Sequence, residues 1–244
     1  MQAVSNIHSL ERPRAHGMID FAPLFMRQTV ETAQSGTTIF FEGDAARHVF
    51  RIVRGNVRIC RFLPDGRRII IGFLGAGDLV GLSFRNRYLF AGEAIDEVAF
   101  SRMNKRTLEE ELQLVPDFRL QLLSQLRDEI SAAQDHMLLL SHKNAEQRVC
   151  TFLLHRLERN EGRDGRTISL PMVRADIADH LGMTIETVSR TLTKLVAKGI
   201  LLPADKHQFK VASRLALART ADEDPDDLFE DVDAGARCGG TRYQ

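Results

Sequence analysis

From Asp117 to Glu161 the chain carries neither proline nor glycine, and no other feature limits its fold as strongly. Proline removes a helix hydrogen bond and glycine costs about 1 kcal/mol in a helix interior, so a stretch free of both is free to stay helical. Pro116-Asp117 reads as a helix start, and one long helix is expected from there. Along it Leu123, Leu126, Ile130, Ala133, Met137 and Leu140 recur at alternating steps of three and four, the spacing of a coiled-coil seam. A seam this narrow calls for a second identical helix, so residues 116–142 are expected to form a dimerisation helix and the molecule a homodimer. The competing reading is a helix laid on its own chain.

Before this helix the pattern is different. From Thr37 to Phe100 short apolar runs ("TTIFFEG", "VFRIVRG", "NVRICRF", "RRIIIGFLGAG") alternate with glycines, which reads as strands joined by turns. Asp65-Gly66 marks a hairpin between two of them. An antiparallel β-roll over 21–115 is expected, preceded by a flexible N-terminus at 1–20. Arg51, Arg54, Arg58 and Arg61 are expected on the solvent side of these strands, with a pocket lining as the alternative.

After the helix the pattern changes again. "TISLP" reads as a short strand and "VRADIADHL" as a short helix stopped by Gly182. Thr184 is a candidate N-cap for "IETVSRTLTKLVAKG", which buries Val188, Leu192 and either Leu195 or Val196 and ends at Gly199. "ILLPADKHQFKVAS" follows as a β-hairpin. Two helices joined through glycine, followed by a wing, make a winged helix-turn-helix over 143–220. The fold class expected is therefore α+β: roll, long helix, winged helix-turn-helix.

The second helix of such a unit enters the DNA major groove. Glu186, Ser189 and Arg190 share its exposed face at i, i+3 and i+4. Arginine can donate twice to guanine and glutamate can accept from cytosine, so these three are the candidate base-reading residues. The alternative for Glu186 and Arg190 is a surface ion pair. Charge favours the first reading. Residues 1–142 balance at seventeen bases and seventeen acids, whereas 143–221 hold fourteen Lys and Arg against eight Asp and Glu. A basic segment suits a polyanion. The stretch Asp222 to Asp233 carries eight acids and no base, so 221–244 is expected to be a disordered acidic tail that either solubilises the chain or competes with DNA.

The residues "RADIADHLGMTIETVSRTLTKLVAKGIL", with the strands and long helix before them, resemble the cyclic-AMP receptor protein and fumarate-nitrate regulator (CRP/FNR) superfamily over roughly residues 21–215. The E-x-x-S-R motif is similar to the FixK-like branch. That resemblance implies double-stranded DNA with TTGAT-type inverted repeats as the target, RNA polymerase as a partner, and phosphate contacts from Arg174, Thr184 and Thr187. It also implies activation of genes for microaerobic respiration or nitrogen fixation.

Other members of the superfamily hold an iron-sulfur cluster or a cyclic nucleotide, and this sequence departs from both patterns. Cys60, Cys150 and Cys238 are too few for a four-thiolate site and read as inert thiols. Where a cyclic nucleotide would meet Gly-Glu and Arg-Ser pairs, this chain has Gly81-Leu82-Ser83 and Leu89-Phe90-Ala91. No cofactor and no metal are expected, although an unrecognised small effector in the roll stays open. A cupin-type metalloenzyme is the remaining alternative, with only His48 among the strands to support it. No membrane span or signal peptide is expected, which implies a cytoplasmic protein, and with neither a nucleophile elbow nor a Walker phosphate loop in the sequence no enzyme activity is expected.

Overall fold

The computed structural model describes residues 21–83, 85–159 and 165–222. The expected flexible N-terminus lies outside them, as does the acidic tail beyond Asp222. Ala221 still belongs to the last helix, one residue into the expected tail.

A short helix, α1 (Ala22–Phe25), leads into β1 (Val30–Ala33), β2 (Thr38–Phe40), β3 (His48–Arg54), β4 (Val57–Phe62), β5 (Arg68–Leu74), β6 (Leu79–Val80), β7 (Ala91–Ala94) and β8 (Val98–Asn104). They form two four-stranded antiparallel sheets ordered β1-β8-β3-β6 and β2-β7-β4-β5. Between them lie Phe40, Phe50, Ile52, Val57, Ala94, Val98 and Phe100. This is the antiparallel roll the alternating pattern implies. Phe40 stacks on Phe50 with ring centroids 5.4 Å apart and leans on Tyr88 at 4.6 Å. The same ring lies so close to Gly92 that a Cβ there would overlap it.

The β4–β5 hairpin turns through Pro64, Asp65 and Gly66. Gly66 donates its N–H to Leu63 O at 2.9 Å and itself sits at φ 83, a type I turn closed by a left-handed glycine. Only the glycine takes positive φ; the Asp65 carboxylate instead accepts from the Arg67 N–H at 3.0 Å.

The roll ends in α2 (Lys105–Leu114) and α3 (Pro116–His142). α3 has the bounds expected for the dimerisation helix, 116–142, although neither proline nor glycine ends it there: the chain extends at Lys143 (φ −84, ψ 142) and restarts as α4 (Ala145–Arg159). The cause is local. Asn144 Oδ1 accepts from the N–H groups of Glu146 and Gln147 at 3.0 and 3.1 Å, while Gln147 Oε1 accepts from the Asn144 N–H at 2.9 Å. This reciprocal capping box satisfies donors that a continuous helix would have bonded backward.

Phe118 and Leu122 of α3 pack under the roll, but the expected seam does not. Leu123, Ile130 and Met137 are 62, 60 and 68 % exposed, Ala133 is exposed and Leu126 half-exposed. Leu140, at the end of the row, lies beside Gly182, where a Cβ would stand 3.5 Å from its Cδ2.

The last part comprises β9 (Thr167–Ser169), α5 (Arg174–Leu181), α6 (Ile185–Ala197), β10 (Leu201–Asp205), β11 (Gln208–Val211) and α7 (Arg214–Ala221). The expected wing, β10–β11, pairs further with β9. Helix α7 buries Leu217, Ala218 and Ala221 beside α4 and has its own cap, Ser213 Oγ, which accepts the Ala216 N–H at 3.1 Å. One buried cluster joins these elements to Cys60, Ile70, Phe73 and Ala91 of the roll.

Candidate DNA interface

Gly182 ends α5 in the left-handed conformation (φ 61, ψ 45), a geometry that glycine adopts without the Cβ penalty. Thr184 then caps α6, its Oγ1 accepting from the Thr187 N–H at 3.3 Å. Val188, Leu192 and Leu195 are buried, so Leu195 rather than Val196 completes the stripe. With that side anchored, α6 presents Glu186, Ser189 and Arg190 to solvent; all three are exposed and none packs inside its own chain. Arg190 Nη2 leans back to Thr187 Oγ1 at 3.5 Å. Among the described residues no ion pair within 4.0 Å joins Glu186 to Arg190, so the surface-pair alternative is not the arrangement seen. Hydrogen bonds from its own backbone N–H and from the Thr184 hydroxyl, with the Arg190 charge, hold the Glu186 carboxyl below the usual range. It is therefore ionised at neutral pH and, being exposed, has room to accept a further donor.

The three phosphate candidates flank this face. Thr184 and Thr187 sit at the N-terminal turn of α6, their hydroxyls 3.1 Å apart, where unpaired N–H groups and the helix dipole favour an anion. Arg174 opens α5, its guanidinium 5.4 Å over the Phe209 ring of β11. Burial lowers its pKa from the ordinary arginine value. The stack ties the wing to the first helix and fixes the direction in which the guanidinium points. At the far end of α6, Lys194 and Lys198 both bind Glu146 of α4, the second at 2.7 Å, and their donation lowers the Glu146 pKa.

Sequence reasoning missed what holds α5 from behind. Arg58 does not face solvent. Its Nε meets Glu93 of β7 at 2.8 Å and its Nη1 meets Asp176 of α5 at 3.0 Å. Arg68 reaches Asp176 at 2.5 Å and Asp179 at 2.8 Å through Nη2, and Asp179 again through Nε at 2.9 Å. Nearby, His180 Nδ1 lies 3.0 Å from Ile70 O, and its ring stacks on His136 of α3 at 4.3 Å. Arg54 and Arg61, by contrast, are exposed, whereas Arg51, like Arg58, is half-buried with its Nε shielded from solvent. Cys60 and Cys150 are fully buried, and burial pushes their thiols up to about 11 and about 12. Neither is a thiolate near neutral pH.

Residues 147–220 match the Crp-like helix-turn-helix domain family and residues 30–114 the cyclic nucleotide-binding domain family. The nitrogen fixation regulation protein FixK of Bradyrhizobium diazoefficiens is 41% identical over 177 residues, covering 68% of this chain and 71% of the relative. The chain belongs to the CRP/FNR family. The transcriptional activatory protein AadR of Rhodopseudomonas palustris is likewise 41% identical, over 67% of this chain and 70% of its own. The solved structure of FixK2 from Bradyrhizobium japonicum superposes with a TM-score of 0.75 at 35% identity, covering 79% of this chain and 96% of that one. This CRP/FNR chain is thus a FixK-like transcriptional activator with a DNA-binding helix-turn-helix, from a family of regulators and not of enzymes. Among the described residues no helix is long and apolar enough to cross a membrane, and no three His, Cys, Asp or Glu side chains gather as a metal set.

Proposed function

We propose that the chain acts as a homodimer that binds TTGAT-type inverted repeats in double-stranded DNA and, with RNA polymerase, activates genes of microaerobic respiration or nitrogen fixation. Glu186, Ser189 and Arg190 read bases, and Arg174, Thr184 and Thr187 hold phosphates. The observation that carries this reading is the exposed polar face of α6, set on a helix whose opposite side is anchored by Val188, Leu192 and Leu195. The row Leu123, Leu126, Ile130, Ala133, Met137 and Leu140, exposed except for the half-exposed Leu126, supports the dimer, since a row of apolar side chains at that spacing is what a second copy of α3 would cover. Two α6 helices related by a two-fold axis would meet half-sites about one turn, roughly 34 Å, apart. Selection of bound sequences from a random duplex pool, with purified full-length protein and no added small molecule, tests it. Recovery of TTGAT palindromes is the expected result, and recovery of no sequence overturns the reading.

One observation favours a second reading, a regulator answering to a small molecule in the roll. A cleft of about 450 Å³ opens at one end of the roll, floored by Phe40, Phe50 and Phe100 and rimmed by Asp44, Arg47 and His48. In that case the selection yields palindromes only after a cell extract of small molecules is added.

A further inference from the structure

Asp176, Asp179 and His180 lie at i, i+3 and i+4 on α5 and therefore share one face. All three are bonded to the roll. Asp176 and Asp179 belong to the ordered series Glu93, Arg58, Asp176, Arg68, Asp179, in which two carboxylates of the helix-turn-helix alternate with two guanidiniums of adjacent strands, while His180 meets Ile70 O beside it. Asp176 is 1 % exposed, and Arg58 and Arg68 are 17 and 21 % exposed, so water competes little for these bonds. A planar guanidinium donates along fixed directions, whereas an apolar contact would allow sliding. Around this series stand two further ties. Arg148 of α4 donates to Leu140 O and Lys143 O at the end of α3 and to Leu181 O at the end of α5. Arg159 reaches Asp78 of the roll at 2.5 Å and Phe73 O at 3.3 Å.

The geometry of a lever shows what these ties control. The 13 residues of α6 span roughly 20 Å, and over that length a rotation of roughly 10° moves the far end by about 3.5 Å. This is about the rise of one base pair, ~3.4 Å. We propose that Arg58 and Arg68 are positioning residues for DNA recognition: by gripping Asp176 and Asp179 from the roll they fix the angle of α6, and so the spacing between half-sites that the dimer accepts. The spacing part of this rests on the dimeric DNA-binding reading above. Arg58 and Arg68 contact no base or phosphate in this scheme; they act through α5.

Full-length protein carrying Arg58→Met, Arg68→Met and Asp176→Asn tests it, because the most deeply buried charge, Asp176, leaves together with both of its partners, and only Glu93 and Asp179 keep a charge without its arginine. Binding is measured to duplexes with TTGAT inverted repeats whose central spacer is shortened or lengthened by one or two base pairs. The wild type should lose about tenfold or more in affinity on a spacing change, and the variant about threefold or less, with base preference inside each half-site unchanged. A lost fold would remove base preference as well, and a weakened dimer, which would also flatten the spacing profile, is separated by measuring dimer dissociation of both proteins by sedimentation. Spin labels on cysteines introduced at Gln34 and Ala197, in a Cys238→Ser background, give a second readout that needs no DNA. The distance distribution should be narrow in the wild type, broad in the variant, and intermediate in Arg58→Lys with Arg68→Lys, which keeps charge but loses the fork. Should the triple variant not fold, Asp179→Asn carries the same comparison with a smaller broadening. An unchanged spacing profile with an unchanged distance width overturns the proposal. A wild type that ignores every duplex overturns the DNA-binding reading instead, and the distance width still decides whether the roll fixes α6.

Discussion

Asp176 and Glu186 are two carboxylates on the two helices of one helix-turn-helix, and their surroundings are opposite. Asp176 is buried between two guanidiniums; Glu186 stands in solvent, with only its own helix start to hold it. A carboxylate taken out of water must keep its partners permanently. One left in water can exchange its solvent for a nucleobase donor, and the contact then carries sequence information. The motif thus divides its acidic residues between a face that fixes position and a face that reads.

Breaking the buried side should have the largest effect. Asp176→Ala leaves Arg58 and Arg68 facing each other without the carboxylate between them and should cost about 3 to 5 kcal/mol, read from urea unfolding of the full chain. The same junction should respond to pH. His180 is held neutral by burial, with His136, His155 and Arg156 adding like charge and the Ile70 carbonyl acting the other way, so its pKa falls to about 4. An unfolded histidine titrates near 6.5, so as pH falls the unfolded chain takes up the proton first and stability is lost between about pH 6.5 and about pH 4, by about 3 kcal/mol at most. A pH series of unfolding midpoints checks this, and His180→Asn should flatten it.

On the exposed side the order reverses, with small effects on folding and larger ones on DNA. Arg190→Ala should lose about 1 to 3 kcal/mol of binding and relax preference at one base pair per half-site, with stability unchanged within about 0.5 kcal/mol. Glu186→Ala should behave alike at a neighbouring position. Thr184→Ala is intermediate: loss of the cap should cost about 1 kcal/mol in thermal unfolding, with a modest uniform loss of affinity across sequences.

The same two faces differ in how legible they were. Most of α6 follows from neighbours in sequence: Val188 and Leu192 of the stripe, the cap at Thr184 and the stop at Gly199 lie within one helical pattern, and only the choice of Leu195 over Val196 came from the structure. The wing and roll strands announced themselves through alternation and glycine. The end of the dimerisation helix was placed at 142, and the structure supplies its local cause, the cap of Asn144 with Gln147, which no proline or glycine announces. The junction was not legible. Arg68 and Asp179 are 111 positions apart, and an arginine that alternates outward on a strand looks the same whether it meets water or another domain. Burial of an outer strand face depends on what docks there, which periodicity within the strand does not record.

The contact between Phe40 and Gly92 bears on how the roll could be engineered. Ring and backbone are pressed closely, and Phe40→Ala would deepen the cleft at the end of the roll into an apolar recess walled by Phe50, Tyr88 and Phe100. Apolar hollows of this kind take up benzene-sized guests, and a guest that binds only the folded form restores stability by mass action. A single truncation would thereby turn the packed interior into a receptor for a chosen synthetic compound, and transcription could be placed under its dose.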